Sequence, residues 1–148
     1  MKTPKIILVP TDFSVAAETA LDRALDLAAK LEAKVYVLHS YELPIVGFLD
    51  SVLLPNAKIA SGIVTWAQTE LDACISKRNE SSVSITPLLR QGDPRALVLS
   101  VAAEVHADLI VMGTHGRRGL ARALIGSTTE SVVRTSPVPV MTIHAGKI

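Results

Sequence analysis

The chain is 148 residues long, 49% apolar and 20% charged, a globular composition with enough apolar material for one core. A formal net charge of +1 offers no polyanion footprint, and 3% aromatics leave few stacking platforms, so nucleic acid is excluded as the expected partner. The single cysteine, Cys74, cannot close an internal disulfide, which suits a reducing compartment.

Lys2 and Lys5 precede an apolar run of only Ile6 to Val9, too short for a signal-peptide core. No run approaches the roughly 20 apolar residues that span a bilayer. The expectation is a soluble, cytoplasmic protein with no membrane partner. Ile6 to Val9 reads as a buried strand, since strands covered on both faces are continuously apolar. Ala20, Leu21, Ala24, Leu25, Leu27, Ala28 and Leu31 then recur at helical spacing, with Ser14 as the candidate N-cap. Val35 to Leu38 reads as a second strand. Tyr41 to about Pro55 reads as a loop, broken by Pro44, Gly47 and Pro55.

Ile63, Ala67, Leu71, Cys74 and Ile75 form the stripe of a second helix. Val83 to Leu89 is a third strand, and Thr86-Pro87 within it marks a sheet edge, where a missing amide costs least. Asp93-Pro94 starts a helix whose apolar face is Leu97, Val98, Val101, Ala102 and Val105. Leu109 to Met112 is a fourth strand. A glycine-rich stretch follows, then a helix from Ser127 to about Arg134 and a last strand from Val138 to Ile143.

This alternation predicts one α/β domain over residues 1–148, an open, doubly wound, five-stranded parallel sheet of order 3-2-1-4-5 with helices on both faces. Such sheets bind ligands at the carboxyl ends of the strands where the winding reverses, here between the first and fourth. The segments leaving those strands are Pro10-Thr11-Asp12 and Gly113-Thr114-His115-Gly116.

The second segment opens a glycine pattern, Gly-x2-Gly-x9-Gly-Ser, at Gly113, Gly116, Gly126 and Ser127. Glycines let backbone amides approach a ligand, and the start of the following helix adds free N–H groups and a favourable dipole for phosphate. It is neither a Walker A loop nor a Gly-x-Gly-x-x-Gly fingerprint. Bland readings compete at several positions. Ser127 with Glu130 fits a capping box, Asp12 fits a local turn, and Thr11 reads as structural. Arg117, Arg118 and Arg122 either clamp a polyphosphate or form a solvated basic face. His115 is an exposed loop histidine or a neighbour of the phosphates, and His39 a core histidine bonded to backbone. Cys74, Trp66 and Met112 read as packing residues, Gly119 has no site role, and the four histidines do not cluster as metal ligands by spacing.

Along essentially its whole length the chain resembles the universal stress protein family, in its ATP-binding branch. The matching residues are Ile6 through Ser14, Val37-Leu38-His39, Ala107 through Gly113, the glycine pattern, and Ser136 through Val140. The resemblance implies an adenine-nucleotide α-hydrolase-like fold and ATP as cofactor, with Mg or Mn as the accompanying metal. It implies that Asp12 meets the ribose, with Pro10 and Thr11 counted beside it. Ser40, Met112 and Gly113 would border the adenine, and Gly116, Gly126, Ser127 and Thr128 would hold the phosphates, with Arg117 as the clamp candidate. Ser40 and Thr128 stand where ATP-binding members often carry valine, so the adenine wall is more polar here. The resemblance also implies a homodimer through residues 138–143. The function expected is a nucleotide-dependent regulatory protein of the stress response. The alternatives are a slow ATPase or phosphotransfer enzyme, for which Asp12 and His115 are the candidate groups, and a nucleotide-free dimeric interaction module.

Overall fold

The computed structural model describes residues 1–44, 46–48, 51–53, 57–115 and 125–145. In chain order the elements are β1 (Ile6–Pro10), α1 (Val15–Leu31), β2 (Lys34–Tyr41), β3 (Val46–Phe48), β4 (Ser51–Leu53) and α2 (Ala57–Ser76). Then follow β5 (Ile85–Gln91), α3 (Pro94–Glu104), β6 (Leu109–Gly113), α4 (Ser127–Thr135) and β7 (Val140–Ile143). Five strands form one parallel sheet in the order β5-β2-β1-β6-β7, which is the 3-2-1-4-5 arrangement expected from the sequence.

The two-residue period of a strand explains why helices cover both faces. Ile7, Leu8 and Val9 of β1 are all 0% exposed. Ile7 and Val9 face Leu21 and Leu25 of α1 and Leu71 of α2, whereas Leu8 turns to Val98 and Val101 of α3 and Val132 of α4. Each fully buried aliphatic side chain of this kind contributes about 1.5–3 kcal/mol. A polar β1 residue on either face would therefore break one of the two layers.

Local signals set the ends of the elements. Ser14 caps α1, its Oγ accepting from the Ala17 amide at 3.2 Å, and Glu32 closes the helix in the left-handed region at φ 53°. Arg78, just beyond α2, ties that helix to α1. Its guanidinium donates to Asp22 at 2.8 Å, to Glu18 at 3.1 Å and to the Cys74 carbonyl at 2.6 Å. Beneath it, burial and the neighbouring Glu18 carboxylate push the Cys74 thiol up to about 11, which fits the expected small core hydrophobe.

Three expectations are corrected. The stretch from Tyr41 to Pro55 is not wholly loop: β3 and β4 pair as an antiparallel hairpin outside the main sheet. Its β-prone Val46, Phe48, Val52 and Leu53 outweigh the breakers Pro44 and Gly47. β5 begins two residues later than expected and runs on to Gln91, pairing along β2 to Tyr41. β7 begins at Val140, because Ser136 holds Val138 in a turn, Oγ accepting from its amide at 3.0 Å and donating to its carbonyl at 2.7 Å. Among the described residues no helix is long and apolar enough to cross a membrane.

Candidate functional site

The sheet order puts the exits of β1 and β6 side by side. At the first exit, the Thr11 amide donates to the Leu38 carbonyl at 2.8 Å and carries β1 one residue past Pro10. The chain then turns sharply. Thr11 Oγ1 accepts from the Phe13 amide and Asp12 Oδ1 from the Ser14 amide, each at 3.0 Å. Phe13 lies in the left-handed region at φ 64°, which costs a non-glycine residue about 1–2 kcal/mol. Its ring offsets part of that cost by packing 4.3 Å from His39 and 6.0 Å, edge-on, from Trp66.

His39 is the buried, backbone-bonded histidine that the sequence suggested, with Nδ1 2.8 Å from the Thr11 carbonyl oxygen. A carbonyl only accepts, so Nδ1 carries the proton. Asp12 is held at the mouth of the sheet by its turn. Trp66, expected as packing, buries only part of its ring and stays 44% exposed.

At the second exit, a Cβ on Gly113 would lie 2.7 Å from the Ala16 carbonyl carbon and 2.8 Å from its oxygen. Only glycine lets β6 end this close to the start of α1. The start of α4 is fastened to the same place. The Gly126 amide donates to the Thr114 carbonyl at 2.6 Å, and Thr129 Oγ1 donates to the Gly113 carbonyl at 2.8 Å.

The capping-box reading of Ser127 and Glu130 is corrected here. Gly126 is the N-cap, no side chain caps the helix, and Glu130 accepts instead from Arg134 at 2.7 Å. The helix starts one residue earlier than that box requires, so Ser127 falls inside the first turn. First-turn amides have no acceptor within their own helix, and the macrodipole places about half a positive charge there. A phosphate group is the chemistry that such an end accepts.

These two exits frame a cavity of about 570 Å³, within the usual range for a small-molecule site. Pro10, Thr11, Asp12, Ser40, Met112, Gly113, Gly126, Ser127 and Thr128 all line it, so nine residues named from the sequence are gathered around one space. Gly116 and Arg117 lie outside the described residues, as do Arg118, Gly119 and Arg122. An adenine nucleotide fits the chemistry of these walls: a carboxylate at Asp12, apolar side chains at Leu38 and Met112, and the uncapped start of α4.

Sequence reasoning missed the third wall, formed by Glu42, Gly92, Pro94 and Val98. Gly92 stands at φ 141° and its amide donates to the Tyr41 carbonyl at 2.9 Å, so β5 turns into α3 beside the cavity. Gly92-Asp93-Pro94 signals a strand-to-helix turn at the same end of the sheet, and that signal was available. His115 also lines the cavity. Its ring meets His144 edge-on at 5.2 Å, and its buried Nδ1 has no hydrogen-bond partner among the described residues. Among those residues no group of three or more His, Cys, Asp or Glu side chains is placed to hold a metal.

The family model described as "Universal stress protein family" matches residues 3–144. Universal stress protein MJ0531 of Methanocaldococcus jannaschii is 31% identical over 144 residues, spanning 97% of this chain and 84% of the relative. Universal stress protein UspA from Lactobacillus plantarum superposes with a TM-score of 0.80 at 24% identity, over 97% of this chain and 99% of the other. A universal stress protein solved in complex with cAMP superposes with a TM-score of 0.64 at 26% identity, over 98% of this chain and 100% of the other.

Proposed function

This chain belongs to the universal stress protein family, and from that premise we propose that it is an ATP-binding regulatory protein of the stress response. The observation that carries the reading is a single cavity joining the Asp12 carboxylate to the uncapped start of α4. In this reading Asp12 accepts hydrogen bonds from the ribose, with Pro10 and Thr11 shaping the turn beside it. The backbone of Ser40, Met112 and Gly113 borders the adenine. The first-turn amides of α4, with Gly126, Ser127 and Thr128, hold the phosphates, and Gly116 and Arg117 extend that set by their place in the glycine pattern. The cAMP complex of the 26% identical relative supports an adenine nucleotide as the ligand class.

Charge-assisted hydrogen bonds to phosphate contribute about 1.5–3 kcal/mol each, so a few of them yield micromolar affinity, about 8 kcal/mol, once association costs are met. ATP binding shifts the protein between an empty and an ATP-bound conformation, and that population shift is the regulatory output. Two copies pair through the open edge of β7.

The test is calorimetric titration with ATP of the wild type and of Ser127→Glu. A glutamate in the first turn favours the helix dipole, so the variant keeps α4, but its charge opposes phosphate. Micromolar binding by the wild type and a loss of about 30-fold in the variant are expected, the factor equivalent to about 2 kcal/mol. Equal affinity of the two proteins, or no ATP binding by the wild type at millimolar ligand, overturns the reading.

A further inference from the structure

A nucleotide carries several negative charges, yet among the described residues no lysine or arginine lines the cavity. Two histidines do, His39 and His115. His39 commits its Nδ1 to the Thr11 carbonyl, at 2.8 Å. The Nδ1 of His115 is buried in the cavity wall, with no hydrogen-bond partner among the described residues. Buried polar atoms are nearly always paired, so an unpaired one in the wall of a binding cavity calls for a partner that the ligand supplies.

The main chain places His115 beside the helix end that accepts phosphate. Thr114, the residue before it, accepts from the Gly126 amide at 2.6 Å, which sets His115 next to the N-cap of α4. The His115 carbonyl accepts from Ser14 Oγ, the cap of α1, at 3.4 Å. The ring is backed edge-on by His144 at 5.2 Å, and His144 is anchored in turn by Thr114 Oγ1, 3.1 Å from its Nδ1. The last torsion of a histidine side chain is broad, so a modest turn of the ring brings Nδ1 to the cavity surface. There an imidazole N–H and the uncapped amides of α4 converge on one phosphate, whose charge strengthens each hydrogen bond. Resting on the nucleotide reading of this cavity, we propose that His115 is a specificity residue: its Nδ1 donates to the phosphates, so that the site selects nucleotides by the charge they carry.

His115→Phe keeps a ring edge-on to His144 but deletes both nitrogens, and His115→Asn returns a donor near the Nδ1 position. The probes are ATP, adenosine and inorganic tripolyphosphate, each titrated calorimetrically. His115→Phe weakens ATP and tripolyphosphate by roughly tenfold and leaves adenosine at its wild-type affinity, whereas His115→Asn brings ATP back to within about threefold. In imidazole nitrogen NMR, the Nδ1 signal that His115→Phe removes moves saturably with ATP and stays in place with adenosine.

ATP affinity unchanged by His115→Phe overturns the proposal and leaves the nucleotide reading intact. Equal losses for ATP and adenosine also overturn it, because they mark a packing role. Failure of ATP to bind, with tripolyphosphate still bound through His115, removes the nucleotide reading and leaves His115 as the anion contact. Failure of both ligands overturns the two together.

Discussion

Gly113 shows how one residue can carry two signals that a sequence does not separate. Read along the chain, it opens a phosphate-type glycine pattern. In the fold it is also the point where the end of β6 meets the first turn of α1, with no room for a Cβ beside the Ala16 backbone. The obstacle is backbone, not the tip of a flexible side chain, so α1 itself must shift to admit a methyl group. Gly113→Ala is expected to lower stability by about 2–3 kcal/mol, the cost of overpacking a rigid contact. Gly62→Ala provides the contrast, because its Cβ enters open space inside α2, and a gain of about 0.5–1 kcal/mol is expected. Urea denaturation midpoints of the two variants measure both effects. A Gly113→Ala midpoint equal to the wild type is incompatible with the close approach of β6 and α1.

Elements were legible where one physical signal dominated. Ile6 to Val9 and Leu109 to Met112 are continuous apolar runs, and both became central strands with a neighbour on each side. The hairpin of β3 and β4 was obscured because its short, β-prone runs lie among Pro44, Gly47 and Pro55. The start of α4 at Ser127 was read correctly, but Ser-x-x-Glu fits a capping box on paper, while Gly126 takes the cap position in space. Site residues on the β1 and β6 exits were readable from the winding reversal, whereas the β5–α3 wall is marked in the sequence only by the Gly92-Asp93-Pro94 turn signal, without a motif that ties it to the site.

The opposite ends of β1 and β6 are pinned by a contact that no periodicity or spacing in the sequence announces. Asp108 Oδ2 accepts from the Lys5 amide at 2.9 Å and from the Ile6 amide at 3.0 Å. The hydrogen bond from Lys5 leads the causes that hold this carboxyl below the usual carboxylate range. A depressed folded-state value gives stability that is present above the unfolded value of about 3.9 and lost as pH falls through the folded one. Asp108→Asn removes that dependence. The stability gap between wild type and variant is expected to hold steady from pH 7 to about 5 and to close toward pH 3. Thermal melts across that range measure it, and a gap that stays constant to pH 3 contradicts the assigned cause.

At the scale of the molecule, the sheet has two open edges and they are not equivalent. Along β5, the Ser84 carbonyl accepts from Val35 and the Gly92 amide donates to Tyr41, so even-numbered residues face β2 and Pro87 faces outward. That edge lacks a donor at its centre, a common guard against unwanted pairing. Along β7, the Pro139 carbonyl accepts from Ile110 and the Ile143 carbonyl from Thr114, so the odd-numbered residues face β6. Pro139 therefore turns its missing donor inward, and Val140 and Thr142 present their N–H and C=O groups at the open edge. Of the two edges, β7 keeps its outward donors uninterrupted, with Met141 40% exposed alongside it. The proposed dimer would use a two-fold axis there, each copy bonding the other with the same residues. Sedimentation velocity at micromolar protein is expected to give a dimer for the wild type. Thr142→Pro removes an outward amide without touching the ladder to β6, so a folded monomer is expected, with wild-type far-ultraviolet circular dichroism. A wild-type monomer, or a Thr142→Pro dimer, places the interface elsewhere.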